Sequence, residues 1–161
     1  MGARLVLSYT SRMPGRIEAL WLKRAHRGPM DAVQAADFIV DEGLAGSVGR
    51  SKRRQVTLIE REVWHAHTTT LGRDIDPGSR RANVMLSGIS LPNTRGRVLR
   101  IGTAVRLAIG GETTPCERME EALPGLQEIM RDNWGGGAFA QVITGGTVRI
   151  GDAVEWEVED R

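Results

Sequence analysis

Residues 135–158 read GGGAFAQVITGGTVRIGDAVEWEV, and this stretch decides the fold class. Two short runs rich in β-branched and apolar side chains, 138–144 and 147–150, flank Gly145-Gly146. A glycine pair supplies the positive φ that a two-residue hairpin turn needs. The spacing predicts a β-hairpin over 138–150, a further turn at Gly151-Asp152, and a closing strand over 153–158.

Working outward, the same punctuation recurs along the chain. Residues 4–8 read as a strand, and residues 17–22 as another after the turn Met13-Pro14-Gly15. Residues 32–40 form a longer run ending at Asp41-Glu42-Gly43. Segments 55–59, 83–89 and 98–109 are further strand candidates. Turn signals about every 8–12 residues point to a barrel or sandwich. Helical character is confined to 60–71, with acidic residues at its start, to 117–123, and to 126–133, where Leu126, Ile129 and Met130 share a face. Pro124-Gly125 separates the last two, and Asp76-Pro77-Gly78 is a turn. The expectation is one mainly β domain spanning 1–161, with two or three short helices and no internal repeat.

Composition narrows the function classes. The chain has 161 residues, 20 of them glycine, with 40% hydrophobic and 4% aromatic side chains. Its core must therefore come from Val, Leu, Ile, Ala and Met. The single cysteine excludes an internal disulfide. No run approaches the roughly 18 apolar residues of a membrane span, and residues 1–10 lack the pattern of a signal peptide. A cytoplasmic protein without membrane association is expected. The formal net charge is +2, and the lysines are Lys23 and Lys52, so arginine dominates the cations. Its planar fork suits phosphate and carboxylate. Arg50-Ser51-Lys52-Arg53-Arg54 and Arg80-Arg81 are candidates for an anion site or for a solvated face. The low net charge, and a segment 46–59 without aromatics, disfavour a nucleic-acid partner.

Cys116 is the sharpest chemical feature. Pro115 holds the chain extended just before it. With a helix starting at Glu117, Cys116 lies at the helix edge, where backbone N–H groups and Arg118 favour a thiolate. Metal ligation and sulfur transfer both need that form. The same residues are compatible with an inert buried thiol, and local chemistry leaves both open. His65 and His67, two apart on a helix, face different ways and do not form a shared metal site; both read as exposed. There is no HExxH, no Cys-x-x-Cys and no Walker loop. Gly135-Gly136-Gly137 precedes a strand and reads as a turn.

In order along the chain, several segments resemble one family. They are Arg54-Gln55-Val56-Thr57-Leu58-Ile59-Glu60; Arg81-Ala82-Asn83-Val84 with Ser87-Gly88-Ile89 and Leu91; and Ile101-Gly102 through Leu107. They continue with Pro115-Cys116 followed by Pro124-Gly125-Leu126, and with Gly145-Gly146, Val148-Arg149 and Gly151-Asp152-Ala153-Val154. From about residue 43 to 158 the chain resembles the MOSC family, named for the C-terminal domain of molybdenum cofactor sulfurase. The resemblance implies a twisted, closed β-barrel-like core with short helices. It implies a molybdenum cofactor (molybdopterin) with Cys116 as the catalytic thiolate and molybdenum ligand. It maps Arg54 and Arg81, with Asn83 beside them, to the cofactor phosphate. The implied activity is reduction of small N-hydroxylated or N-oxygenated compounds with an external electron donor. The alternative is a non-redox persulfide carrier, or a cofactor-binding module, using Cys116 and served by a cysteine desulfurase. No pyridoxal phosphate, flavin or iron–sulfur site is visible in this chain. One departure stands out: Ser47 occupies the place where stand-alone members carry an acid, and no His follows it. That departure favours the non-redox alternative.

Overall fold

The structure is a computed structural model that describes residues 14–158. Its centre is a closed seven-stranded barrel built from β1 (Gly15–Lys23), β5 (Val56–Glu60), β6 (Val84–Ser87), β7 (Val98–Ile101), β8 (Val105–Glu112), β9 (Ala138–Thr144) and β11 (Ala153–Trp156). The order is β11-β7-β8-β9-β5-β6-β1, and β1 pairs with β11 to close it. Strand β2 (Met30–Val33) extends the sheet beyond β1. A separate sheet has the order β10 (Gly146–Arg149), β3 (Ala35–Ile39), β4 (Gly43–Leu44).

Strand β1 reaches far enough to have two partners along one edge. Gly15 and Arg16 pair with Val154 and Ala153, closing the barrel. Leu20–Lys23 pair instead with β2, so the sheet splits where β1 ends. Inside, side chains alternate as the strand period requires. Val105, Leu107 and Ile109 of β8 point inward with Leu58, Leu86 and Val154, all of them buried. Small and branched residues dominate this core, as the low aromatic content dictates.

The β5–β6 pair is parallel, and a parallel pair needs a crossover of a dozen or more residues. That crossover holds α1 (Arg61–Thr70) and a 3-10 helix, Pro77–Arg80. Asp76 accepts a hydrogen bond from the Gly78 amide at 2.9 Å and caps the 3-10 turn. Trp64 of α1 packs against Met119 of α2 (Glu117–Ala122) and against Leu126 and Met130 at α3 (Leu126–Ile129), forming a second, smaller core beside the barrel. Among the described residues no helix is long and apolar enough to cross a membrane.

The mainly β expectation holds, and several local expectations change. Residues 138–150 do not form a hairpin. Both edges of β9 are occupied, by β5 and β8, so the chain turns at Gly145 and β10 pairs with β3 in the other sheet. The run 32–40 is two strands in two sheets, parted at Gln34, whose carbonyl accepts from Ile150. The run 98–109 is a hairpin turning at Gly102, not one strand. The second short helix stops at Ile129. The strand expected over 4–8 lies outside the described residues.

Two stability predictions follow from the packing. Leu86 is fully buried, and Leu86→Ala is expected to cost about 2–5 kcal/mol in urea denaturation. Glu60 is part-buried and accepts a hydrogen bond from the Leu91 amide at 3.3 Å. Burial raises its pKa, the Leu91 bond opposes, and Glu62 raises it further. A carboxyl whose folded pKa is raised destabilises the fold when ionised and ceases to do so as pH falls through that pKa. Glu60→Gln is therefore expected to raise Tm at pH 7 and leave it unchanged near pH 4. An equal gain at both pH values would overturn this account.

Candidate functional site

The site is built where β8 runs out. Thr113 donates its amide to the Gly137 carbonyl at 2.9 Å and its hydroxyl to the Gly136 carbonyl at 2.8 Å. The Gly136 carbonyl also accepts from Arg80 Nε at 3.0 Å, while Arg80 Nη2 donates to the Thr113 carbonyl at 3.4 Å. A Cβ on Gly136 would overlap that Thr113 carbonyl, which explains glycine here. The glycine triplet is thus a close-approach turn, not a phosphate cradle. Two residues on, Pro115 leads into Cys116, which is extended (φ −115°, ψ 178°) and stands at the N-cap of α2. The Cys116 carbonyl accepts from the Met119 amide at 2.9 Å. The thiol caps nothing and the residue is exposed, so the inert buried alternative does not describe it.

Cys116 borders a groove with two lobes. The wider lobe, about 790 Å³, is lined by Arg27, Ser79, Arg81, Arg118, Glu117 and Glu121 among others. The smaller, about 340 Å³, is lined by Lys23, His26, Arg27, Arg80, Arg81 and Arg118, with Met119. Five cationic side chains, four of them arginine, therefore line the groove around the thiol. Among the described residues none of the five makes an ion pair. Burial lowers the pKa of Arg80, with Cys116 acting in the opposite direction. Burial lowers that of Lys23, and Arg81 and Arg118 lower it further. Arg81 is lowered by burial and then by Arg118. For Lys23 and Arg81, though not for Arg80, a like-charge contribution adds to burial.

Arg81 holds the unusual backbone of this wall. It adopts φ 65° at the C-cap of the 3-10 helix, a conformation that costs non-glycine residues energy. Its Nη1 donates to the Gly28 carbonyl at 2.6 Å and ties down the β1–β2 loop. An Arg24–Asp31 ion pair at 3.0 Å pins the same loop. Arg81 Nη2 is buried with no hydrogen-bond partner.

The structure brings together two of the expected site residues, Cys116 and Arg81. Asn83 lines neither lobe. Its Oδ1 accepts from the Thr57 amide at 3.1 Å and the Thr57 hydroxyl at 3.2 Å, and its Nδ2 donates to the Trp21 carbonyl at 3.3 Å. The same Nδ2 lies 3.4 Å from Ser47 Oγ. Ser47 is buried, and its hydroxyl accepts from the Lys23 amide at 3.0 Å. The serine found in place of the expected acid thus braces the end of β1. Arg54 also lines neither lobe: its guanidinium lies 4.8 Å from the Phe139 ring centroid, with Arg53 at 5.4 Å. His65 is exposed, but His67 is half-buried and its pKa is lowered by burial, with the Gly135 backbone opposing. Lys23, His26 and Arg27 were not singled out from sequence. The run Lys23-Arg24-Ala25-His26-Arg27 before Pro29 was their signal.

Asn83→Ala is expected to destabilise the chain by about 1–3 kcal/mol, because it strands the Thr57 amide among part-buried neighbours. Urea unfolding with amide exchange at Thr57 measures this. Unchanged stability and unchanged Thr57 protection would refute the role.

Among the described residues no three His, Cys, Asp or Glu side chains gather as a metal cage. A metal held at Cys116 would need further donors from its own chelator. The MOSC domain model matches residues 26–155. No curated protein matches the chain. Among solved structures, the YuaD protein from Bacillus subtilis is similar, with TM-score 0.75 at 20% identity over 88% of this chain and 94% of that one. YiiM from Geobacillus stearothermophilus gives TM-score 0.69 at 15% identity, over 90% of this chain and 76% of its own. YiiM from Escherichia coli gives 0.65 at 16%, over 90% and 71%. At these identities the likeness is one of fold. The family match spans most of the chain and includes Cys116 and, apart from Lys23, the residues that line its groove, and the chain belongs to the MOSC domain family.

Proposed function

We propose that this chain binds a molybdenum cofactor through Cys116 and reduces small N-hydroxylated or N-oxygenated compounds, using electrons from a separate donor. One observation carries the reading: an exposed thiol borders a groove of cations that, among the described residues, have no ion-pair partner, and Arg81 there keeps a buried Nη2 without an acceptor. These residues fit a metal that arrives on a phosphorylated chelator. Cys116 would be the protein's thiolate ligand. Arg81 would hold the phosphate, since a guanidinium binds an oxyanion through paired N–H groups. Arg27 and Arg118, which line both lobes, add charge around it. Once bound, molybdenum supplies Lewis acidity and two-electron redox chemistry. Asn83 and Ser47 support this by fixing the end of β1, on which Lys23 stands. Arg54, stacked on Phe139, has no contact role in this reading.

The deciding experiment is metal analysis of protein made in a host competent for molybdopterin synthesis. Wild type is expected to carry molybdenum, Cys116→Ala to carry none, and Arg81→Gln to retain severalfold less. Wild-type protein that never takes up molybdenum would sink the proposal. A second reading, a persulfide carrier or non-redox module, draws support from Ser47, which faces the Lys23 backbone and offers no acid to the groove. Mass spectrometry after incubation with a cysteine desulfurase tests it: an added sulfur on Cys116 is expected, and an unmodified thiol counts against it.

A further inference from the structure

The two lobes that meet at Cys116 differ in charge. Glu117 and Glu121, the carboxylates on the groove, line the wider lobe. Among the described residues the smaller lobe has no carboxylate on its lining; its polar wall is Lys23, His26, Arg27, Arg80, Arg81 and Arg118. Lys23 and Arg80, like His26, belong to the smaller lobe and not to the wider one. Neither has an ion-pair partner among the described residues. Arg80 commits Nε and Nη2 to carbonyls, which leaves part of its five-donor fork unused. Its position is fixed by those same bonds, so the fork is already oriented. Retaining fixed, mutually repelling cations in a concave space is costly, and a bound anion relieves the cost.

We propose that the smaller lobe is a subsite for an oxyanion carried by the molecule that reaches Cys116, gripped by Lys23 and Arg80. This rests on taking Cys116 as the reactive centre, and it assigns that centre an anionic small molecule, bearing phosphate or carboxylate, in preference to a neutral one. A volume of about 340 Å³ admits a small metabolite. The wider lobe, with Arg81 at the boundary, remains for the cofactor.

Paired alkylating reagents test this on the metal-free full-length chain. Iodoacetate is an anion and iodoacetamide is neutral, and both consume the same thiolate, so their rate ratio cancels the ionisation of Cys116. Relative to a short cysteine peptide, the ratio is expected to favour iodoacetate by about tenfold, the scale of electrostatic steering into a charged cleft. Lys23→Gln should cut that preference severalfold. Arg80→Gln should do the same, and Arg80→Lys should restore part of it. Among the described residues the Lys23 ammonium makes no hydrogen bond or ion pair, so Lys23→Gln stays informative if Arg80→Gln fails to fold. Protection by inorganic phosphate but not acetate indicates a phosphorylated ligand, and the reverse a carboxylate. A ratio equal to the peptide's, or one unchanged in folded Lys23→Gln, overturns the subsite. Molybdenum uptake is read separately. Uptake without anion preference removes the subsite and leaves the cofactor reading standing; anion preference without uptake does the opposite.

Discussion

The carbonyl of Gly136 accepts from two side chains at once, Thr113 Oγ1 and Arg80 Nε, and the presentation of Cys116 depends on that meeting. It joins the end of β8, the turn before β9 and the 3-10 helix in the crossover. Each comes from a different part of the chain, and glycine alone permits the approach. The thiol is reached three residues after Thr113, past a proline that restricts the path. A surface cysteine on a loop would otherwise sample many positions. Here its neighbours are set by backbone carbonyls held against a guanidinium.

That arrangement brings the guanidinium near the thiol without a carboxylate partner. Arg80 is largely removed from water, and Lys23 and Arg81 feel one another and Arg118. Several arginines away from the groove are paired: Arg24 with Asp31, Arg61 with Glu18, and Arg106 with Glu157. What sets the groove's cations apart is that they gather beside Cys116. The six-residue helix α2 adds little field of its own. The charges that border the sulfur are the side chains of the groove.

Much of the barrel was legible in the sequence, because strand alternation and glycine punctuation are local signals. Residues 17–22 fall within β1, 56–59 of the run 55–59 within β5, and 153–156 of the run 153–158 within β11. Pairing was not legible. Gly145-Gly146 has the composition of a hairpin turn, yet whether β10 can pair with β9 depends on edges that β5 and β8 already occupy. Cys116 was legible through its proline and the residues around it. Arg81 was found through the family resemblance, and its orphaned Nη2 could not have been. Lys23, His26 and Arg27 were harder, since the splitting of β1 between β11 and β2 is what turns their loop toward the cysteine. Asn83 and Ser47 illustrate the converse. Both sit near the site in the sequence pattern, and both act through the backbone behind it.

Strand β1 closes the barrel with one end and carries Lys23 on the other. The wall of the groove is therefore not an appendage that can swing independently. It is the continuation of the strand that makes the barrel a barrel. An anion gripped by Lys23 and Arg80 would cross-link β1 and the crossover through one small molecule. Occupancy and global unfolding then share a single cooperative unit, and bound ligand would slow the opening of the closure seam as well as of the groove. In this architecture an occupied groove would act as the barrel's latch.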